Sequence, residues 1–390
     1  MTRVGFLLNF PKEYKGGINY LKNLFYALTQ DQKKELDIYL FVSSDIEKEY
    51  IDLFLPYVTI VKTNLLKRGN PLWFVDKVLG KVFNYTPLVI NLLKRYRIDV
   101  VSHSDFSSRF HSFGIVNWIP DFQWLHYPEL WDSKAIGYLT GQTQKVLQCS
   151  SVVVVSSHDA KKDLLTFKDA TEDKIKVLQF VSQPNHKKEV STVELRKSIE
   201  EKYGFEGSFF YLPNQFWKHK NHLVALKAIG VMKKKGLNPL LITTGLMHDF
   251  RNKNEHIDNL LNYVKEHQLE DNIKFLGLIP YQHVLYLMEN CLAVINPSLF
   301  EGWSSTVEEA KSIGKLTILS DISVHKEQNP ANALYFNPAD EQELADILEK
   351  VWTNQQDIHI VNEERVGMDL QRRTLLFAER YREIIAGIKG

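Results

Sequence analysis

The chain has 390 residues with a formal net charge of +1, 44% hydrophobic and 24% charged residues. That length is more than one hydrophobic core holds and points to two domains; the near-neutral charge speaks against nucleic acid as the main partner; and no apolar run approaches the roughly 20 residues that span a bilayer. Cys149 and Cys291 are too few for a disulfide framework or a Cys-based zinc site, and they fit a reducing cytoplasm.

In chain order, Val4 to Phe10 reads as a first β-strand rather than a signal peptide, since no small-residue cleavage site follows the short apolar run. Strands are expected at Asp37 to Val42, Asp99 to Val101, Ile115 to Ile119 and Val152 to Val155, with helical periodicity over Ile18 to Leu28 and Ala135 to Leu147. From Thr166 to Tyr203 the chain turns polar and charged, with Gln183-Pro184-Asn185-His186-Lys187-Lys188 at the centre, and an interdomain linker is expected there. Strands then resume at Phe209 to Leu212, Leu240 to Thr243, Ile273 to Leu276, Leu292 to Ile295 and Leu316 to Leu319, and Leu370 to Ile388 has helical periodicity without a partner strand. Alternation of this kind marks parallel α/β sheets buried on both faces. The expected organisation is two Rossmann-like, doubly wound domains, residues 1–185 and 186–370, with a C-terminal helix at 371–390 packing back on the first. Such sheets bind ligands in the crevice at the carboxyl ends of their strands.

Four stretches could line that crevice. In Phe300-Glu301-Gly302-Trp303-Ser304-Ser305-Thr306-Val307-Glu308-Glu309, a strand and an Asn296-Pro297-Ser298 turn precede a helix, so Glu301 falls in the loop and Glu309 in the first helical turns. Were both helical they would lie about 12 Å apart; a turn at Gly302 lets them approach one ligand. Ser305-x-x-Glu308 and Thr306-x-x-Glu309 are also capping-box patterns, and a cap and an anion site are compatible. In Leu212-Pro213-Asn214-Gln215-Phe216-Trp217-Lys218-His219-Lys220-Asn221-His222, two lysines and two histidines follow a strand, as a diphosphate would require; a solvated basic loop is the other reading. Lys15-Gly16-Gly17 permits close backbone approach to a ligand. Trp118-Ile119-Pro120-Asp121-Phe122-Gln123-Trp124-Leu125-His126 mixes Asp121 and His126 with aromatic rings, suited either to a sugar or to a core rim.

Glu301 and Glu309 with seven residues between them, Lys220 after Gln215, and Gly16-Gly17 together resemble the retaining glycosyltransferases of family 4, which have the GT-B architecture. "VVVVSSHDAKKDLL" at 152–165 and "NIKFLGLIPYQHVLYLMENCLAVINPSLFEGWSSTVEEAKSIGK" at 272–315 carry the resemblance over nearly the whole chain. "LPNQFWKHKNH" is similar to members that build bacterial surface polysaccharides by adding rhamnose or mannose. The resemblance implies that Glu309 meets the nucleotide ribose and Glu301 the donor sugar's hydroxyls. It also implies that the Gly302-Trp303-Ser304-Ser305 backbone meets sugar and diphosphate, with Lys220 neutralising the diphosphate as the sugar leaves. Asn214, Gln215 and Lys218 would lie on the donor side, Gly16 and Gly17 near donor phosphates or acceptor, and Leu278 and Ile279 at the base.

This chain departs from the family pattern in three places, one being Gly302-Trp303-Ser304-Ser305-Thr306, which stands where Gly-Phe-Gly-Leu-Pro is common after the first glutamate and adds hydroxyls near the sugar. Gln215 stands where many relatives have Arg, and Pro120 where many have the histidine before the acidic residue, so Asp121 or His126 would take that histidine's place. No Asp-x-Asp occurs, and the expected reaction uses no metal or other cofactor beyond the nucleotide-diphosphate sugar itself. Residues 61–100 hold eight Lys or Arg against Asp76 and Asp99, with Leu72, Trp73, Phe74, Val78 and Val82 among them, which fits contact with anionic lipid at the inner face of a cytoplasmic membrane; an ordinary solvated helix face is the other reading. The expected activity is sugar transfer from a nucleotide-diphosphate sugar to a growing glycan or lipid-linked saccharide. A nucleotide-sugar epimerase of similar fold and a non-catalytic nucleotide-sugar or glycan-binding subunit remain as alternatives.

Overall fold

A computed structural model describes residues 1–8, 15–108, 111–183, 193–249, 255–355 and 362–389. The chain divides into two compact units: one of residues 1–122, 132–181 and 371–390, the other of 123–131 and 182–370. A single cut near residue 185 does not reproduce this division, because the short segment Gln123–Trp131 groups with the second unit.

The first unit is built on β1 (Thr2–Leu7), β2 (Leu36–Ser43), β3 (Thr59–Thr63), β4 (Val100–Ser102), β5 (Gly114–Ile119), β6 (Val152–Val155) and β7 (Ile175–Val177), all parallel, in the order β3-β2-β1-β4-β5-β6-β7. The second has β8 (Phe210–Leu212), β9 (Leu241–Thr243), β10 (Ile273–Phe275), β11 (Val294–Asn296), β12 (Thr317–Ser320) and β13 (Ala333–Phe336), also parallel, in the order β10-β9-β8-β11-β12-β13. Both are doubly wound, as expected, and both are apolar through the middle: Val153 to Val155 and Val294 to Ile295 are fully buried. The strand order reverses between β1 and β4 in one sheet and between β8 and β11 in the other.

The strands that the sequence pattern misses are β3, β7 and β13, each at a sheet edge. Each keeps exposed positions, Thr59 and Lys62 in β3, Lys176 in β7 and Leu334 in β13. In β3 and β7 these are polar residues facing water at an edge, which interrupts the apolar run of a central strand, whereas β13, Ala333-Leu334-Tyr335-Phe336, is apolar throughout and its pattern does not explain the miss. The expected linker is also corrected. Within 166–203, Ile175–Val177 completes the first sheet and Val193–Tyr203 is a helix; the segment 184–192, its expected centre, lies outside the described residues.

The helix Glu363–Lys389 belongs to the first unit from Gln371 onward. It buries Phe377, Tyr381 and Ile385 there, Tyr381 Oη donates to Ser102 Oγ at 2.9 Å, and Arg382 pairs with Asp31 and with Glu35.

Candidate functional site

Of the residues expected to hold a donor, Asn214, Lys220, Glu301 and Ser304 come together at the β8/β11 reversal of the second sheet, where an open α/β sheet forms its crevice. After β8 the chain runs through Pro213–Trp217 into a single turn, Lys218–Lys220, and then the helix His222–Lys234. Two devices hold this loop. Gly245, at φ +144°, lies so close to it that a Cβ would meet the Asn214 carbonyl oxygen at 2.3 Å. Asn221, in the left-handed region at φ 54°, donates from Nδ2 to the carbonyls of Pro297 and Pro338 at 3.1 and 2.9 Å, tying the β8 loop to the β11 loop. The Leu299 N–H adds a bond to the His219 carbonyl at 2.8 Å.

At the centre, Lys220 Nζ donates to Glu301 Oε1 at 2.7 Å, and the two side chains are only 13% and 7% exposed. Ser298 Oγ also lies 2.7 Å from Glu301 Oε1 and 2.7 Å from Asn296 Oδ1; its single proton serves one acceptor at a time. Burial by itself would raise the Glu301 carboxyl, but the Lys220 charge and the bonds from Lys220 and Ser298 outweigh it and hold the group below its ordinary value. The site therefore keeps an ionised carboxylate and an ammonium in a largely dry place.

Asn296 extends the network. Its Oδ1 accepts from Asn214 Nδ2 at 3.0 Å and its Nδ2 donates to Ser304 Oγ at 2.8 Å, while Thr306 Oγ1 donates to Asn214 Oδ1 at 3.1 Å. Asn214, Lys220, Glu301 and Ser304 are thus parts of one connected cluster. Its second half rests on the helix Ser305–Ser312, capped by Ser304, whose Oγ accepts from the Val307 N–H. This corrects the capping-box reading of Ser305 and Thr306. Glu308 is buried and accepts from Gln328 Nε2 at 3.1 Å, and Glu309, half-buried, accepts from Tyr281 Oη at 2.9 Å. Gly302 and Trp303 are half-buried in the loop between Glu301 and the cap, and Ser305 opens the helix.

Other expected residues lie differently. Gln215 Oε1 accepts from the Leu246 N–H at 2.8 Å, so its side chain braces a neighbouring loop. The Lys218 side chain is exposed, and its N–H donates to buried Asp249. Leu278 is exposed and Ile279 half-buried just after β10. His126 belongs to the second unit, its ring 4.9 Å from that of Phe300, the residue before Glu301, and Tyr127 Oη donates to the Leu299 carbonyl at 3.3 Å. Gly16, Gly17 and Asp121 belong to the first unit. The two glycines sit within the first turn of the helix Lys15–Gln30 rather than before it, and Asp121 follows β5, half-buried.

Sequence reasoning missed Asn296, Ser298, Tyr281, His325 and Gln328. His325 is fully buried on the helix Ser323–Gln328, which follows β12. Its Nδ1 lies 3.0 Å from the Ser320 carbonyl, an acceptor only, so Nδ1 carries the proton and Nε2 is a bare lone pair without a hydrogen-bond partner among the described residues. Gln328 bridges the cap: the Ser304 N–H donates to Oε1 at 3.3 Å, and Nε2 donates to the Ser304 carbonyl at 3.0 Å. The usable signal was position, since both residues follow the strand next to β11.

Residues 196–365 match the family model described as Glycosyl transferases group 1. A stretch of 135 residues is 27% identical to the O-antigen chain mannosyltransferase RfbU of Salmonella typhimurium; this covers 35% of the chain and 36%, about a third, of that protein's length. Among solved structures, a glycosyltransferase from Rickettsia africae aligns with a TM-score of 0.68 at 16% identity, over 99% of this chain and 98% of that one. Anabaena Alr3699/HepE in complex with UDP-glucose aligns with a TM-score of 0.68 at 15% identity, over 99% and 100%. The chain has the GT-B fold, and residues 196–365 carry its match to the group 1 glycosyl transferases.

Proposed function

We propose that the protein is a retaining glycosyltransferase of family 4 that moves a sugar from a nucleotide-diphosphate sugar to a growing glycan or lipid-linked saccharide in surface-polysaccharide synthesis, without a metal. The observation that carries this reading is the buried Lys220–Glu301 pair at the strand-order reversal, beside the amino end of the helix Ser305–Ser312. A diphosphate needs cation and N–H donors together, and a helix amino end supplies the second. Lys220 takes the diphosphate, relinquishing part of its bond to Glu301, and Glu301 turns its carboxylate to the sugar's hydroxyls. Glu309 exchanges Tyr281 for the ribose hydroxyls, Leu278 and Ile279 flank the base, and the Gly302–Ser305 backbone follows sugar and phosphate.

In the reaction the C1–O bond to the diphosphate breaks and the acceptor oxygen bonds to C1 from the same face. The acceptor's proton passes to the departing phosphate oxygen, so the products are the glycoside and the nucleoside diphosphate. Lys220 stays protonated and lowers the barrier by stabilising charge on the leaving group. Gly16, Gly17 and Asp121 serve acceptor or phosphates from the first unit, and His126, beside Phe300, serves the donor sugar. Similarity to an O-antigen chain mannosyltransferase supports mannose as the donor sugar; rhamnose as the other donor, and a place at the cytoplasmic face of a membrane, belong to the proposal alone.

A panel of nucleotide sugars, read by calorimetry and by nucleoside diphosphate release with lipid-linked saccharide acceptors, tests the proposal. Donor-dependent release with retained anomeric configuration, unchanged by a chelator, is expected. Neither binding nor turnover with any donor overturns it. Binding without transfer points instead to a non-catalytic subunit, and a sugar product formed without acceptor points to an epimerase.

A further inference from the structure

The helix Pro71–Phe83 in the first unit is built inside out. At 100° per residue, Phe74, Val78 and Val82 share one face with Val75 beside them, and all four are exposed, Phe74 by 62% and Val82 by 64%. The opposite face carries Asp76, buried, with Oδ1 accepting from the Leu88 N–H at 2.9 Å at the start of the helix Pro87–Arg95. Gly80 lies on this inner side as well: a Cβ there would stand 2.9 Å from Thr86 Cγ2, so the helix is held with its apolar face outward. Lys77 and Lys81, both exposed, line one edge of the stripe.

Charge decides what such a face fits. Residues 61–100 carry a net +6 in a chain of net +1, leaving −5 on the other 350 residues. Their only two acidic groups are turned into the fold, Asp76 as above and Asp99 accepting from the Arg3 N–H at 2.9 Å, while Lys94, Arg95 and Arg97 are exposed. At the carboxyl end of the helix a cavity of about 570 Å³ opens, with Lys81 and Lys145 in its walls beside Phe83 and His111. A second copy meeting this helix face to face would set Lys77 and Lys81 against like charges; an anionic bilayer satisfies both stripe and lysines.

We propose that the helix Pro71–Phe83 docks on an anionic lipid bilayer, with Phe74, Val78 and Val82 among the acyl chains and Lys77 and Lys81 at the headgroups. The surface shares no residue with the Lys220–Glu301 site, so it is tested without assuming sugar transfer. Flotation of the full chain with vesicles of phosphatidylglycerol and phosphatidylcholine, against phosphatidylcholine alone, measures it. Wild type is expected to float with the anionic vesicles, Val78→Asp to lose roughly tenfold or more in partitioning, and the pair Lys77→Glu with Lys81→Glu a similar factor that high salt erases. Lys145→Glu is expected to lose about fivefold. All these positions are exposed or half-exposed, and unchanged melting by circular dichroism verifies the fold. Wild type left in the buffer, variants floating like wild type, or a dimer abolished by Val78→Asp in a chain that ignores vesicles would each overturn the proposal. Donor binding in the same variants, expected to be unchanged, separates this outcome from failure of the transferase reading.

Discussion

The two sheets reverse strand order at equivalent places, and the chain fills those places in opposite ways. Beside β8 and β11 sit an ammonium and a carboxylate, Lys220 and Glu301, 2.7 Å apart. Beside β1 and β4 sits a neutral cluster: His103 Nε2 is 2.9 Å from Tyr20 Oη, His103 Nδ1 is 2.7 Å from Ser102 Oγ, and Tyr20 stacks on Trp118 at 4.2 Å between ring centroids. Burial pushes His103 down to about 3, with no charged neighbour among the described residues to oppose it, and Tyr381 closes the cluster through its bond to Ser102. In the second unit the burial penalty is opposed by a partner charge, and ions persist. A buried ion pair is a poor way to stabilise a fold compared with apolar packing, so its retention at the second reversal points to a ligand; the neutral cluster reads as packing. Topology supplies the place in both units, and the side chains decide its use.

The largest effect that sharpens this contrast is expected at Lys220. Lys220→Ala should lower kcat/KM for transfer by about 100- to 1000-fold, as loss of a donor to a leaving oxyanion does; near-wild-type turnover would place the diphosphate elsewhere. The same variant leaves Glu301 buried without its partner, and urea denaturation should show a loss of about 3–5 kcal/mol. Adding Glu301→Gln should recover part of that loss and none of the activity, which separates the two roles.

Acid comes next. His103 and His222, one in each unit, are both lowered to about 3 by burial. The unfolded chain binds these protons below about pH 6.5 and the folded one does not, so stability is complete above that pH and declines as pH falls from 6.5 toward 3. The decline should be on the order of 1.4 kcal/mol per pH unit for each histidine, visible as falling urea midpoints between pH 7.5 and 5.5. The Glu301 carboxyl is also lowered, so its contribution is lost only further down, below the ordinary carboxylate pKa. A flat profile from pH 7.5 to 5.5 would contradict the neutral cluster.

Glu309→Ala should weaken nucleotide affinity about tenfold by calorimetry, since a charge-assisted bond is lost, while the half-exposed position leaves stability within about 0.5 kcal/mol. Unchanged affinity would leave Glu309 as the partner of Tyr281 only. Ser304→Ala should cost about 1 kcal/mol of stability through the lost cap, and a larger cost would mean that Asn296 and Gln328 depend on it.

The positions of Glu301, Lys220 and Glu309 beyond their strands were legible in the sequence, because the apolar runs before them mark where the strands end, and strand ends are where an α/β sheet places ligands. The central strands were legible too, since Val152–Val155 needs only its own apolar run to declare itself. What stayed hidden depends on neighbours distant along the chain. Asn296 and Ser298 read as an ordinary turn, and His325 drew no reading, because nothing local says that β12 lies beside β11. Likewise Phe74, Val78 and Val82 read as a helix face, yet only packing shows that the face turned inward is the one with Asp76.

The sequence by itself determined the central segments buried in the sheets and which residue types follow them, because an apolar run is a property of a few consecutive residues. The tertiary structure decided the partners: that Lys220 meets a carboxylate 81 residues away, that Gln123–Trp131 groups with the second unit, and that the apolar face of Pro71–Phe83 is left in water. Those contacts depend on strand order and crossovers, which are fixed only when the whole sheet packs.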